Sequence, residues 1–448
     1  MARECEDYLA QVGAQIRWPR ARTYLLEELS HHLTDQRAAL EEEGVSPEEA
    51  ERRAVADMGD PAAVGRELNA LHRPALSLAP AILALGIGLV GGALIPALVG
   101  ASALRYWLGL ALGVGLMALL RLSDLGGLIR RRRGWISLGM VLAFVLTVAG
   151  IQCSPRLPVG TSPLWPLYLC LFFPLLFALL LLRLRGMPGK LLCFLSLWMY
   201  ALAIPALLVP NLTSALLLGG TMLLTATVAT ALGWFGGRRW VGLVSLWFPT
   251  VLLMSSFISA LVSTSGRIQY FFHPEQDPAG YGWQILLMRD ILWKGSEAAA
   301  TEYLSIPLSQ YPDISLLTLS ARLGRPVMAA ALGVILLFAM VCLWRMGKLR
   351  STSGKLLALS LFLPLFFQAV AYWLYNAALF PFSSSLPLPF FSYGPTGMVV
   401  DFALLGLLLS VFRMDPLQRD GPRCQLQFST PEIAKHLCSL AEPADEHS

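Results

Sequence analysis

The chain has 448 residues, of which 56% are hydrophobic and only 14% charged, with a formal net charge of +5. Soluble domains carry about 25% charged residues, and here the charge is crowded into the first 74 or so positions and the last 35 or so. A soluble enzyme with one added anchor is excluded, because the apolar part is most of the mass. The small basic excess is read as membrane orientation rather than as a nucleic-acid footprint, so no nucleic-acid partner is expected.

From the N-terminus, residues 3–73 read as a small helical unit. Tyr8, Val12 and Ile16 share one helical face, and Leu25, Leu26, Leu29 and Leu33 form a second apolar stripe, with Glu27, Glu28 and Arg37 on the polar side. Gly44 closes that helix. Ser46-Pro47-Glu48-Glu49 then gives an N-cap, a proline at N1 and a glutamate at N3. Met58-Gly59-Asp60-Pro61 ends the third helix, and 62–71 forms a fourth. The first residues hold no apolar core of a signal peptide, so none is expected. His31 and His32 invite a metal reading, but neighbours on a helix point about 100° apart, which favours a solvated face. The seven cysteines show no CxxC spacing, and no disulfide scaffold is expected. Cys170, Cys193 and Cys342, inside apolar runs, read as small core residues.

Ten apolar runs follow, near 78–100, 103–120, 135–152, 164–182, 191–209, 213–233, 240–262, 326–344, 356–379 and 396–412. Each is long enough to cross about 30 Å of hydrocarbon. Basic residues collect after the even-numbered runs: Arg121 and 130–133, then Arg183, Arg185 and Lys190, then Arg238 and Arg239, then Arg345, Lys348, Arg350 and Lys355. The positive-inside rule puts both termini in the cytoplasm. The expected fold is all-α: a polytopic membrane protein of about ten transmembrane helices with a small cytoplasmic helical head. Its parts are the head (1–74), the ten-span domain (75–413) and a cytoplasmic tail (414–448). A long outer-face segment, 264–325, separates spans seven and eight and is the natural place for function.

Two resemblances attach to particular residues. In the head, Ile16-Arg17, Glu28-Leu29-Ser30-His31-His32-Leu33, Glu49-Ala50 and Ala54-Val55-Ala56-Asp57-Met58-Gly59-Asp60-Pro61 resemble the permease-prefix (HAAS-type) domain. This implies a regulatory module with a cytoplasmic regulator as a partner. In the membrane part four islands occur in order. They are Val209-Pro210-Asn211-Leu212-Thr213-Ser214-Ala215; Arg267-Ile268-Gln269 with Asp277-Pro278 and Gly280-Tyr281-Gly282; Ile306-Pro307 through Asp313-Ile314; and Leu388-Pro389-Phe390-Phe391-Ser392-Tyr393-Gly394. Together they resemble the SEDS family, the FtsW/RodA/SpoVE cell-shape, division and sporulation proteins of the bacterial cytoplasmic membrane. Asn211, Leu308, Ala321-Arg322 and Pro395 depart from the family pattern.

The resemblance implies peptidoglycan glycosyltransfer, in which lipid II is polymerised at the outer membrane face beside a class B penicillin-binding protein. Asp313 matches the family's essential aspartate and is the expected catalytic base. Arg267, Lys294, Tyr393, Ser392, Asn211 and Lys190 are the expected substrate-binding residues, with Arg289 a further diphosphate candidate. A divalent cation is one way to stabilise the diphosphate. The competing readings are a non-enzymatic scaffold or sensor, supported by the lost carboxylates, and a lipid flippase. Asp401, an acid inside the last run, is expected to pair with a lysine or arginine near the outer surface.

Overall fold

A computed structural model describes residues 3–72, 78–123, 142, 145–149, 165–195, 212–264, 267–280, 282–306, 312–382, 386–391 and 394–415. Among the described residues the chain is helical and contains no strand. The head is four helices, α1 (Arg3–Gln15), α2 (Pro19–Glu42), α3 (Pro47–Asp57) and α4 (Pro61–Leu71), closed around Tyr8, Val12, Ile16, Leu25, Leu29, Leu33, Ala54 and Leu68. Gly44 takes φ +89 just past α2, the left-handed stop its sequence predicts. The Ser46 side chain makes no cap hydrogen bond, so proline at N1 starts α3 without it. Asp60 instead caps α4, accepting from the backbone N–H groups of Ala62 and Ala63. His31 is exposed and His32 half-buried.

Among the described residues six helices are long and apolar enough to cross a membrane. They include α5 (Ala79–Leu94, continued by a π-helical turn at Ile95–Val99) and α6 (Ala103–Arg121). The span expected near 164–182 is two pieces, α7 (Trp165–Cys170) and α8 (Phe173–Arg183). Pro174 has no N–H to return to Cys170, and the chain tightens there, Leu171 and Phe172 donating three residues back to Tyr168 and Leu169. Next come α9 (Leu212–Ala231) and α10 (Arg239–Thr264), the latter with Pro249 inside it. The last three spans are α15 (Pro326–Gly347), α16 (Thr352–Asn376) and α17 (Pro395–Met414). The runs at 135–152 and 191–209 lie largely outside the described residues.

The segment expected as a long loop is instead a helical cap. It consists of α11 (Arg267–Phe272), α12 (Trp283–Arg289) with a π-helical turn at Asp290–Lys294, α13 (Glu297–Leu304) and α14 (Ser315–Leu323), the last led by a 3₁₀ turn at Pro312–Ile314. Phe271, Ile285, Met288, Ile291, Tyr303, Ile314 and Leu317 form its own apolar cluster, joined to Met328 of α15 and Tyr372 of α16. The cap sits where α15 begins and α16 ends. At the opposite ends of the spans lie Arg121, Arg183, Arg345 and Arg413, each in the last turn of its helix. These two ends are the cap face and the basic face.

Burial is uneven. In α17, 83% of the most apolar stretch is buried and in α16 67%, against 22% in α15 and 28% in α6, so α16 and α17 form the centre of the described spans. Glycines set how close α6 and α17 come. A Cβ on Gly109 would stand 2.9 Å from Pro395, one on Gly113 2.9 Å from Phe402, and one on Gly406 2.7 Å from the Met117 carbonyl. Without a hydrophobic drive between helices in lipid, such backbone-close packing is what holds them.

Gly406→Ala is expected to lower the thermal midpoint in detergent, with an overpacking cost of about 1–3 kcal/mol. Gly115→Ala, whose added Cβ meets nothing within 4 Å, should hold or raise the midpoint.

Candidate functional site

Asp313 occupies the 3₁₀ turn that leads into α14, and its residue is half-exposed. Span α16 fixes this turn from below. Asn376 Nδ2 donates to the Asp313 carbonyl at 2.9 Å and its Oδ1 accepts from Leu317 N–H at 3.0 Å. The Tyr372 hydroxyl accepts from Leu316 N–H at 3.3 Å. Thus two of the amides that a helix N-terminus leaves unpaired are met by side chains of another helix. Tyr303 of α13 hydrogen-bonds Thr318 at 2.9 Å. Burial raises its phenol above the ordinary value, the Thr318 bond opposes this, and the negative charge of Asp313 adds to the rise.

Sequence reasoning missed the residues that hold Asp313. The signal was present: Gln368, Tyr372 and Asn376 recur every four residues along one face of an apolar span, and none is exposed to solvent. Tyr375, on the next face, accepts from Gln284 Nε2 of α12 at 3.0 Å.

The other expected residues are distributed as follows. Lys294 lies in the π-helical turn that packs on α14, and so in the same cap as Asp313, but its Nζ is 2.8 Å from Asp290 within its own turn. Arg289 donates to the Phe271 carbonyl at 2.9 Å with its guanidinium 5.2 Å from the Phe271 ring. Arg267 opens α11, and its side chain lies outside the described residues, as do Asn211, Ser392 and Tyr393 altogether. Lys190 stands apart from the cap. It belongs to a 3₁₀ turn at Gly189–Leu191, where Gly189 N–H donates to the Gly236 carbonyl, at the far end of α9 from Thr213. Gly280 and Gly282 are turn residues: added Cβ atoms would overlap the Asp277 carboxylate and the Pro274 carbonyl.

A cleft of about 270 Å³ lies between α9 and α16, lined by Leu216, Leu217, Phe367, Val370, Leu374 and Phe380, with Thr213 at its edge. It occupies the same cap-face turns of α16 that carry Tyr372 and Asn376, on a different face of the helix.

Asp401 corrects an expectation. It is 2% exposed, and among the described residues no lysine or arginine forms an ion pair with it. Its carboxyl is met by the Phe390 backbone N–H and the Gln368 side chain. The helix carries it inward, away from the surface where cations could reach it.

This is a helical, multi-pass membrane protein with a structured cap on one face. Residues 168–415 match the model of the FtsW/RodA/SpoVE cell cycle proteins. That is more than half of the chain, and the chain belongs to this family. It is 25% identical over 203 residues to a probable peptidoglycan glycosyltransferase FtsW of Trichlorobacter lovleyi, covering 43% of this chain and 51% of that protein. It is 24% identical over 207 residues to the peptidoglycan glycosyltransferase MrdB of Escherichia coli K12, covering 43% and 54%. The chain thus spans about half the length of the curated relatives it matches. Among solved structures, a chain described under the structural coordination of polymerization and crosslinking by a peptidoglycan synthase complex superposes with a TM-score of 0.59 at 21% identity, covering 76% of this chain and 98% of that one. That likeness shows a shared fold.

Asn376→Leu is expected to strip the Leu317 N–H and the Asp313 carbonyl of their partners, at about 1–3 kcal/mol per buried group. Hydrogen exchange at 314–318 should speed up while exchange in the head is unchanged.

Proposed function

We propose that the protein is a peptidoglycan glycosyltransferase of the bacterial cytoplasmic membrane. It polymerises lipid II on the cap face, with both termini and the basic face in the cytoplasm. The observation that carries this is a half-exposed carboxyl, Asp313, on a turn held by Asn376 and Tyr372, with an apolar cleft on the same span. Asp313 accepts the proton of the acceptor sugar's 4-hydroxyl as that oxygen bonds to C1 of the donor sugar. The bond from C1 to the diphosphate oxygen breaks, and undecaprenyl diphosphate leaves with the electron pair. The cleft between α9 and α16 takes part of the prenyl chain. Lys294, on the turn that packs on α14, and Arg267, at the start of α11, are the cations for the diphosphate, joined by Asn211, Ser392 and Tyr393 as further substrate contacts. Lys190, on the basic face, would contact lipid headgroups there instead.

Among the described residues no group of three or more His, Cys, Asp or Glu is placed to hold a metal ion. The cap face is where a class B penicillin-binding protein would receive the new glycan, and the head is a regulatory module for a cytoplasmic partner. The lost family carboxylates at Asn211 and Leu308 favour a second reading, a scaffold that binds lipid II without polymerising it.

Purified protein, alone and with a transpeptidase partner, should convert lipid II to glycan chains, and Asp313→Asn should abolish this by about 10²-fold or more, as loss of a general base does, with an unchanged thermal midpoint. Chains from a well-folded Asp313→Asn protein would remove Asp313 from the chemistry. Bound lipid II without chains from any protein would establish the scaffold.

A further inference from the structure

Asp401 lies six residues into α17, about 9 Å along the helix from Pro395, and an acid at such a depth is costly unless its charge is matched or absent. Among the described residues, the helices packed on α17 supply no counter-charge to it. On α7 the facing titratable group is Tyr168, whose hydroxyl lies against Gly397, one turn from Asp401. On α6 it is Tyr106, which donates to the Gly88 and Phe391 carbonyls at 2.9 and 3.1 Å. On α16 it is Tyr372, which is engaged with Leu316, and α5 presents glycine and small residues.

The neighbouring Gln368 is fully buried. Its Nε2 donates to the Pro387 carbonyl at 2.8 Å, which fixes the orientation of the amide. Its Oε1 is then left without a hydrogen-bond partner, and so is Asp401 Oδ1. Each of these two buried side chains thus keeps one acceptor oxygen without a donor, while the Phe390 N–H and the Gln368 side chain meet the rest of the Asp401 carboxyl. A carboxylate brings no donor, whereas a carboxylic acid brings one O–H.

The segment these two residues hold is strained. Phe390 is not glycine yet takes φ +64, a conformation that persists only when its surroundings over-determine it. Its ring is wedged 5.0 Å from Phe402 and 5.5 Å from Phe338. Gln368 grips the carbonyl of Pro387, Tyr106 that of Phe391, and Asp401 receives the Phe390 N–H.

We propose that Asp401 is kept as a neutral carboxylic acid, and that Asp401 and Gln368 together position residues 387–391 at the cap face. Its link to polymerisation rests on the function proposed above, while the protonation itself does not. An ionised Asp401 would leave its Oδ1 without a donor and put an unmatched charge beneath the strained turn. Asparagine reproduces the neutral acid, with one N–H to give and one carbonyl to receive, and leucine reproduces only its volume.

The test compares full-length wild type, Asp401→Asn and Asp401→Leu in detergent near pH 7, where exposed carboxyls are ionised. The infrared difference between wild type and Asp401→Asn should contain a protonated-carboxyl C=O band that shifts in D₂O. Asp401→Asn should keep the thermal midpoint and the lipid II polymerisation rate of the wild type. Asp401→Leu should lower the midpoint and slow polymerisation about tenfold, the factor expected for one unpaired buried group. Absence of the carboxylic band overturns the proposal, as does an Asp401→Asn protein as impaired as Asp401→Leu, since both mean that the charge is what matters. If Asp401→Leu does not fold, the infrared band and the asparagine variant still decide. If lipid II is not polymerised at all, the infrared and thermal readings are unaffected.

Discussion

Irregular backbone at the edge of a bilayer must find its hydrogen-bond partners within the protein, because hydrocarbon offers none. Here one helix face provides them. Gln368, Tyr372 and Asn376 stand at four-residue spacing on α16 and bond in turn to Pro387, Leu316 and Leu317, with Asn376 also reaching the Asp313 carbonyl. The two non-helical stretches that meet at the cap face, 387–391 and the turn at Pro312–Ile314, are therefore both registered against the same rigid span. Tyr106 on α6 adds a third hold, on the Phe391 carbonyl. The position of Asp313 is thus a property of α16 more than of the cap that carries it.

The spans were legible because each is a long apolar run, and helix length in a bilayer leaves little freedom. The cap was not. Its helices are six to nine residues long, too short to show a period, and they are stabilised by burying Phe271, Met288 and Tyr303 against one another rather than by local preference. Pro174 was visible in the sequence, but hydropathy averages over it, so a broken span reads as a whole one. Asp313 was legible through its resemblance, whereas Asn376 and Tyr372 were hidden because hydropathy treats a polar residue in a span as a tolerated exception. Asp401 was misread for a related reason. An acid in a membrane suggests a basic partner, yet neutralisation by a proton meets the same cost without one.

The head shows a different economy. With few long apolar runs to bury, α1 to α4 rely on small well-filled contacts such as Val12, Ile16, Leu25 and Leu29, all fully buried. Charge also enters this core: Glu51 is 5% exposed and accepts the Cys5 backbone N–H at 3.0 Å. Burial, with Glu51 adding to it, pushes the Cys5 thiol up to about 11, so this cysteine stays protonated and inert where an exposed one would begin to react.

The glycine seam between α6 and α17 has a mechanical side. Two helices packed this closely resist bending and move as one stiff pair, so they transmit displacement along their common axis. α17 begins beside the 387–391 segment and ends at Arg413, whose guanidinium stands 5.8 Å from the Trp18 ring of the head. A push of an ångström at the head would be delivered, little diminished, about 30 Å away at the turn beside the cap, making α17 a connecting rod between the two faces of the membrane.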